Sequence, residues 1–207
     1  MNTIKKIAGR LAQSIGFGAF AVVIVLLVMI LAAAARGEGP SIGLPDAQLL
    51  RFRNSDGSCV QCTIGMLGVS QNCPAAEFLL WDSRYGPRVR GASNTDRVRA
   101  YCQRRGIRAW QVTGDDTIAW IRWACLTGRG AAVTFYKNHM VLAAGFDPRT
   151  GTYWVIDNNA PTRRTPYSER EFVRLHAMGG RWAVVLDYPP PLPPPVYVNW
   201  WRSRGRR

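Results

Sequence analysis

The residues in this chain whose types and spacing can do chemistry begin with Gly57-Ser58-Cys59-Val60-Gln61-Cys62-Thr63-Ile64-Gly65-Met66. Ser58 is a favourable N-cap, and Gln61 three residues on can reach back to the Ser58 amide, so Ser58-x-x-Gln61 reads as a capping box. Val60, Ile64 and Leu67 then recur at helical spacing, as do Cys62, Met66 and Val69. On this register Cys59 is the first helical residue. Unpaired N–H groups and the positive end of the helix dipole stabilise a thiolate there. A cysteine so placed is either a nucleophile or a small buried hydrophobe. Cys62 is the rival nucleophile, but it lies one turn inside the helix, with less access to the free N–H groups.

A thiol nucleophile needs a base, and the chain has two histidines. His176 comes late in an amphipathic helical stretch, Glu171 to His176, where a histidine near the C-terminus has a structural reason to be present. His139 instead opens an apolar run, His139-Met140-Val141-Leu142-Ala143-Ala144-Gly145-Phe146, after the polar step Lys137-Asn138. Imidazole at a strand start can face a helix N-terminus packed on the sheet. The next run, Tyr153-Trp154-Val155-Ile156, returns Asp157 and Asn158 to the same end, where a carboxylate or an amide can orient the ring. Cysteine, histidine and Asn/Asp in this order are what nucleophilic acyl transfer requires. The plainer reading of His139 is a satisfied polar residue on a strand.

These groups must be positioned by the elements around them. The spacing predicts a short helix from Pro74 through Leu80-Trp81, with a loop over Asp82–Ala92. A third helix follows from Ser93 to Arg105, capped by Ser93, Asn94 or Thr95. A strand is expected over Ile107–Val112, then a helix capped by Thr113 and ended at Gly128. Ala131–Tyr136, His139–Phe146 and Tyr153–Asp157 read as strands, the last two joined through Asp147-Pro148-Arg149-Thr150-Gly151. Thr165 to Met178 reads as a turn and a short helix, and Arg181–Leu186 as a final strand. Helices first and antiparallel strands afterwards define an α+β domain with the two layers packed together.

With these elements in place, three blocks resemble the papain-like cysteine peptidase superfamily in its C39-like form. Cys59-x-x-Cys62-Thr63-Ile64-Gly65-Met66 resembles the nucleophile helix, with a small residue three places after the cysteine and Met seven after. The run from His139 to Phe146 resembles the histidine strand, and Tyr153 to Asn158 the strand that ends in the orienting residue. The resemblance covers roughly residues 50–186. It implies a helical N-terminal part packed on an antiparallel sheet, Cys59 and His139 as the reacting pair, and no cofactor. Papain-like enzymes orient the histidine with Asn and C39-like ones with Asp; this chain carries Asp157 and Asn158 together, and alignment of the strand end favours Asn158. The family's oxyanion-hole Gln lies six residues before the nucleophile, where this chain has Arg53. Asn54, one place away, is the nearest amide for that role, beside the Cys59 N–H.

The ends of the chain frame this domain, which spans residues 41–188. Residues 1–36 read as a targeting segment, either a signal peptide or a membrane anchor. Lys5, Lys6 and Arg10 precede an uncharged stretch whose core, Phe17–Ala35, approaches the ~20 residues that cross a bilayer. The positive flank stays inside, so the domain is expected outside the cytoplasm. Pro189–Pro195 (PPPLPPP) is expected to be extended, and the tail 189–207 ends in Trp200, Trp201 and several arginines. It reads as a spacer, or as a contact for an anionic surface. The chain carries 27 basic and 13 acidic residues, a net charge of +14; taking away the three N-terminal cations leaves +11. The arginines are scattered rather than grouped, which argues against specific nucleic-acid binding. Five cysteines allow one free thiol with up to two disulfides. Without a second paired cysteine motif, no metal site is expected. The reading as a whole is a membrane-associated cysteine peptidase or amidase acting on a peptide or protein. The alternative is a catalytically silent surface-binding module of the same fold.

Overall fold

A computed structural model describes residues 44–85 and 93–188; the apolar segment 17–35 and the tail 189–207 lie outside the described residues. The described elements are α1 (Asp46–Leu50), α2 (Cys59–Ser70), α3 (Pro74–Glu77) with a 3-10 turn over Phe78–Leu80, α4 (Thr95–Arg104), β1 (Ala109–Thr113), α5 (Thr117–Leu126), β2 (Ala131–Phe135), β3 (His139–Asp147), β4 (Thr152–Ile156), β5 (Arg164–Ser168), α6 (Glu169–Met178) and β6 (Trp182–Leu186). Among the described residues no helix is long and apolar enough to cross a membrane.

The strands form one six-stranded sheet in the order β1-β6-β2-β3-β4-β5, antiparallel throughout. The fold is therefore α+β. Alternation along each strand splits the core in two. Ala132, Met140, Leu142, Ala144, Trp182, Val184 and Leu186 face α2 and its neighbours. Val133, Phe135, Val141, Ala143, Ala183 and Val185 face the other way, where they pack with Trp120, Ile121 and Cys125 of α5 and with Phe172 and Leu175 of α6. The sequence suggests two layers, whereas the structure has helices on both faces of the sheet. The late helices supply the third layer, because the sheet is apolar on both sides.

Helix α2 starts at Cys59 as its spacing predicts, but the capping box does not form. Ser58 makes no side-chain cap. Asp56 intervenes: its carboxylate accepts the Ser58 N–H at 3.2 Å and the Ser58 hydroxyl as well. A carboxylate is the stronger acceptor and takes the amide that Gln61 was expected to cap. Gln61 is buried, with its Nε2 unpartnered among the described residues. Residues Cys59 through Gly68 are all buried, as befits a helix covered on every side. Close packing of α3 requires Gly68, since a Cβ there would lie 2.2 Å from the Glu77 amide nitrogen.

Three further expectations are corrected. Helix α5 begins at Thr117 rather than after Thr113, which is the last residue of β1; Gly114, at φ +83°, turns the chain between them. Thr165 to Met178 contains a strand, β5, ahead of α6, with Pro166 on a sheet edge where the missing N–H costs no ladder bond. All five cysteines are buried free thiols, without the disulfides the count allowed.

Candidate active site

Cys59, His139 and Asp157 meet where the N-terminus of α2 faces the start of β3. His139 opens β3 after a three-residue turn in which Asn138 takes the left-handed conformation, φ +59°. β4 runs antiparallel to β3 and delivers Asp157 just beyond its last residue. His139 Nε2 lies 2.9 Å from Asp157 Oδ1. The imidazole and the Cys59 thiol favour each other's charged forms, and with Nε2 given to Asp157, Nδ1 is the ring nitrogen left to face sulfur.

The electrostatics favour an ion pair. Burial alone would raise the Cys59 pKa. Hydrogen bonds from His139 and from the Met140 and Val60 backbone, with the charge of His139, outweigh burial and bring the thiol below its ordinary value. Burial disfavours a charged His139, yet hydrogen bonds to Asp157 and Cys59 lift its pKa to about 9. Burial would likewise raise Asp157, but the His139 bond and the Asn159 N–H hold it below the usual carboxylate range. Each of the three groups is thus shifted toward its charged form by its neighbours.

Asn158, the favoured orienting residue, stands elsewhere. It is fully buried, and its Nδ2 reaches Cys59 O at 3.1 Å, Thr63 Oγ1 at 2.8 Å and Met140 O at 2.7 Å. Thr63 Oγ1 in turn sits 2.8 Å from Cys59 O and 3.1 Å from Met140 O. Asn158 therefore ties α2 to β3, and the side chain within hydrogen-bond distance of the ring's Nε2 at 2.9 Å is its neighbour Asp157. Asn54 also differs from expectation. Its Nδ2 donates to Asn159 Oδ1 at 3.0 Å and its N–H to Asn158 O at 2.8 Å. Both donors hold the loop before α2 against the Asp157–Asn159 turn, so Asn54 does not present its amide to an oxyanion in this arrangement. Cys62 is fully buried, with Ser58 Oγ 3.5 Å from its sulfur.

His176 is bonded on both nitrogens, to Thr134 O at 2.8 Å and Thr117 Oγ1 at 3.0 Å. It braces α6 against β2 and α5, apart from Cys59 and His139. Thr63 and Asn159 were not singled out from the sequence. Thr63 had a readable signal, since at four residues after Cys59 it shares that helix face. Among the described residues no cluster of three or more His, Cys, Asp or Glu is placed to hold a metal ion.

Fold and site together define an α+β domain in which a thiol and an imidazole line one cavity and the imidazole is hydrogen-bonded to a carboxylate. No family model matches the chain, and no curated protein matches it. Among solved structures it is similar to a double glycine motif protease from an AMS/PCAT transporter, solved in complex with the leader peptide. The identity is 16%, the TM-score 0.45, and the match covers 65% of this chain and 86% of that one.

Proposed function

We propose that this chain is a cysteine-type peptidase or amidase of papain-like fold, acting on a peptide or protein. One observation carries the proposal: a thiol on the first residue of a buried helix, sharing one cavity wall with an imidazole whose Nε2 is held 2.9 Å from a carboxylate oxygen. In this reading the Cys59 thiolate attacks the amide carbonyl. Negative charge develops on the carbonyl oxygen near the first turn of α2, where the Cys59 N–H has no intrahelical acceptor. The His139 imidazolium gives its Nδ1 proton to the departing amine, and the neutral ring then takes a proton from water to release the acyl group. Asp157 keeps Nε2–H in place and stabilises the positive ring, without itself reacting.

The pH profile tests this directly. Below the thiol's pKa, Cys59 is protonated and the nucleophile is lost; above about 9, His139 loses the proton it must donate. The expected kcat/KM profile is a bell whose basic limb falls near pH 9. Iodoacetamide labelling should persist well below about pH 8.5, the range of an ordinary thiol. Labelling that rises only through about pH 8.5 would overturn the ion-pair reading.

The same reading places the enzyme outside the cytoplasm, supported by Lys5, Lys6 and Arg10 ahead of the uncharged stretch 11–35. Alkaline phosphatase fused after Leu186 is expected to be active in cells. An inactive fusion beside an active cytoplasmic reporter at the same junction would reverse that assignment.

A further inference from the structure

Arg129 is a buried cation short of acceptors. It stands between α5 and β2 and is only 3% exposed. Its guanidinium lies over the Trp123 indole, 4.9 Å from the ring centroid. Arginine keeps its charge in proteins, and burying a charge costs free energy unless hydrogen bonds replace its hydration. Burial accordingly disfavours the charged form, while the charge of Asp187 supports it. Yet Arg129 Nε, Arg129 Nη1 and Trp123 Nε1 are all buried without a hydrogen-bond partner among the described residues. Buried polar groups are as a rule satisfied, and these three can only donate. The group that fits them is rich in acceptors and asks for none in return.

The chain brings such a group to this place. Gln71 bridges Arg129 to the end of the domain: its Nε2 donates to Arg129 O at 2.9 Å, and its Oε1 accepts the Tyr188 N–H at 3.3 Å. The Tyr188 hydroxyl is held in turn, accepting the Arg108 N–H at 3.2 Å and donating to Gly106 O at 3.3 Å. The residues that follow, outside the described ones, are Pro189 to Pro195, PPPLPPP. Proline carries a carbonyl and no N–H, and an extended polyproline II run makes no internal hydrogen bonds. Its carbonyls are therefore free to accept, and aromatic surfaces are what such runs dock against.

We infer that the run Pro189–Pro195 docks on the end of α5, its carbonyls accepting from Trp123 Nε1 and from Arg129 Nε and Nη1. The tail is then strapped to the domain at its root, and the part free to reach outward begins after Pro195. The strap leaves from the far end of β6, whose first residue, Trp182, lines the cavity shared by Cys59 and His139. The inference is thus independent of the thiol chemistry.

The test uses the full chain in a neutral detergent, labelled with 15N at tryptophan, and reads exchange of the Trp123 indole N–H with water; Trp123→Phe assigns the signal. Replacing Pro189, Pro190 and Pro191 by Gly, Ser and Gly is expected to speed that exchange about 5-fold, the scale of one ordinary hydrogen bond. Asp187→Asn is expected to leave it unchanged. A second readout places p-benzoylphenylalanine at Leu192, where light should join it to residues 117–130 of the same chain. Trp123→Phe, which removes the N–H and keeps an aromatic ring, should lower the yield of that product. An exchange rate indifferent to the prolines, or one that responds to Asp187→Asn instead, overturns the inference and gives the donors to water or to Asp187. Crosslinks from position 192 that miss residues 117–130 overturn it as well.

Discussion

Cys59→Ala is expected to abolish turnover, by on the order of 10⁴-fold or more, the scale on which loss of a nucleophile acts. Labelling below about pH 8.5 should vanish with it, while circular dichroism and the unfolding midpoint stay close to those of the parent. Cys62→Ala should keep both activity and labelling. The two thiols are three residues apart on one helix, and sequence spacing alone leaves either as nucleophile. Their surroundings separate them. Against burial, His139 and the backbone at Met140 and Val60 favour the Cys59 thiolate and bring its pKa below the ordinary thiol value. Cys62 is fully buried one turn further on, among apolar residues, with the Ser58 hydroxyl as its polar neighbour. There it fills space as a small hydrophobe, and alanine should cost only about 1 kcal/mol of packing. A folded but dead Cys62→Ala protein beside an active Cys59→Ala protein would move the nucleophile by one helical turn and refute the site.

The second large effect separates two adjacent residues. Asp157→Asn is expected to lower kcat by roughly two to four orders of magnitude with the fold intact, because the ring loses both its orientation and the charge that favours imidazolium. The basic limb of the pH profile should fall from about 9 toward the ordinary histidine range, since the Asp157 bond is the largest force holding it up against burial. Asn158→Ala should act on stability instead. Removing a buried amide strips a shared donor from Cys59 O, Thr63 Oγ1 and Met140 O at the joint between α2 and β3, leaving Thr63 Oγ1 as the side-chain donor to the two carbonyls, and a lost hydrogen bond costs about 0.5–1.5 kcal/mol. Urea titration should show a midpoint lowered to match. The position of the basic limb should remain where it is in the parent. A stable Asn158→Ala protein with a displaced limb, beside an Asp157→Asn protein with an undisplaced one, would return the orienting role to Asn158.

Much of this molecule can be read without coordinates, and for physical reasons. The start of α2 at Cys59, the run of β3 from His139 and the return through Tyr153 each follow from local periodicity and turn chemistry, which neighbouring residues encode by themselves. The α+β class follows from their order along the chain. Long-range geometry decided the rest. Whether Asp157 or Asn158 meets the ring depends on how the chain leaves β4: successive residues point to opposite sides, and only the packing of α2 on β3 determines which side is occupied by imidazole and which by buried carbonyls. The capping box failed because Asp56, two residues upstream, reached the Ser58 amide first, a competition that a motif cannot express. β5 is not legible in the sequence, since an edge strand with alternate residues exposed and a proline at its centre carries little apolar signal. Spacing from Cys59 is all the sequence offers for Asn54, but its partners, Asn158 and Asn159, lie more than a hundred residues away in sequence. Local pattern thus determined which residues could react; the joining of α2, β3 and the turn after β4 decided which of them touch.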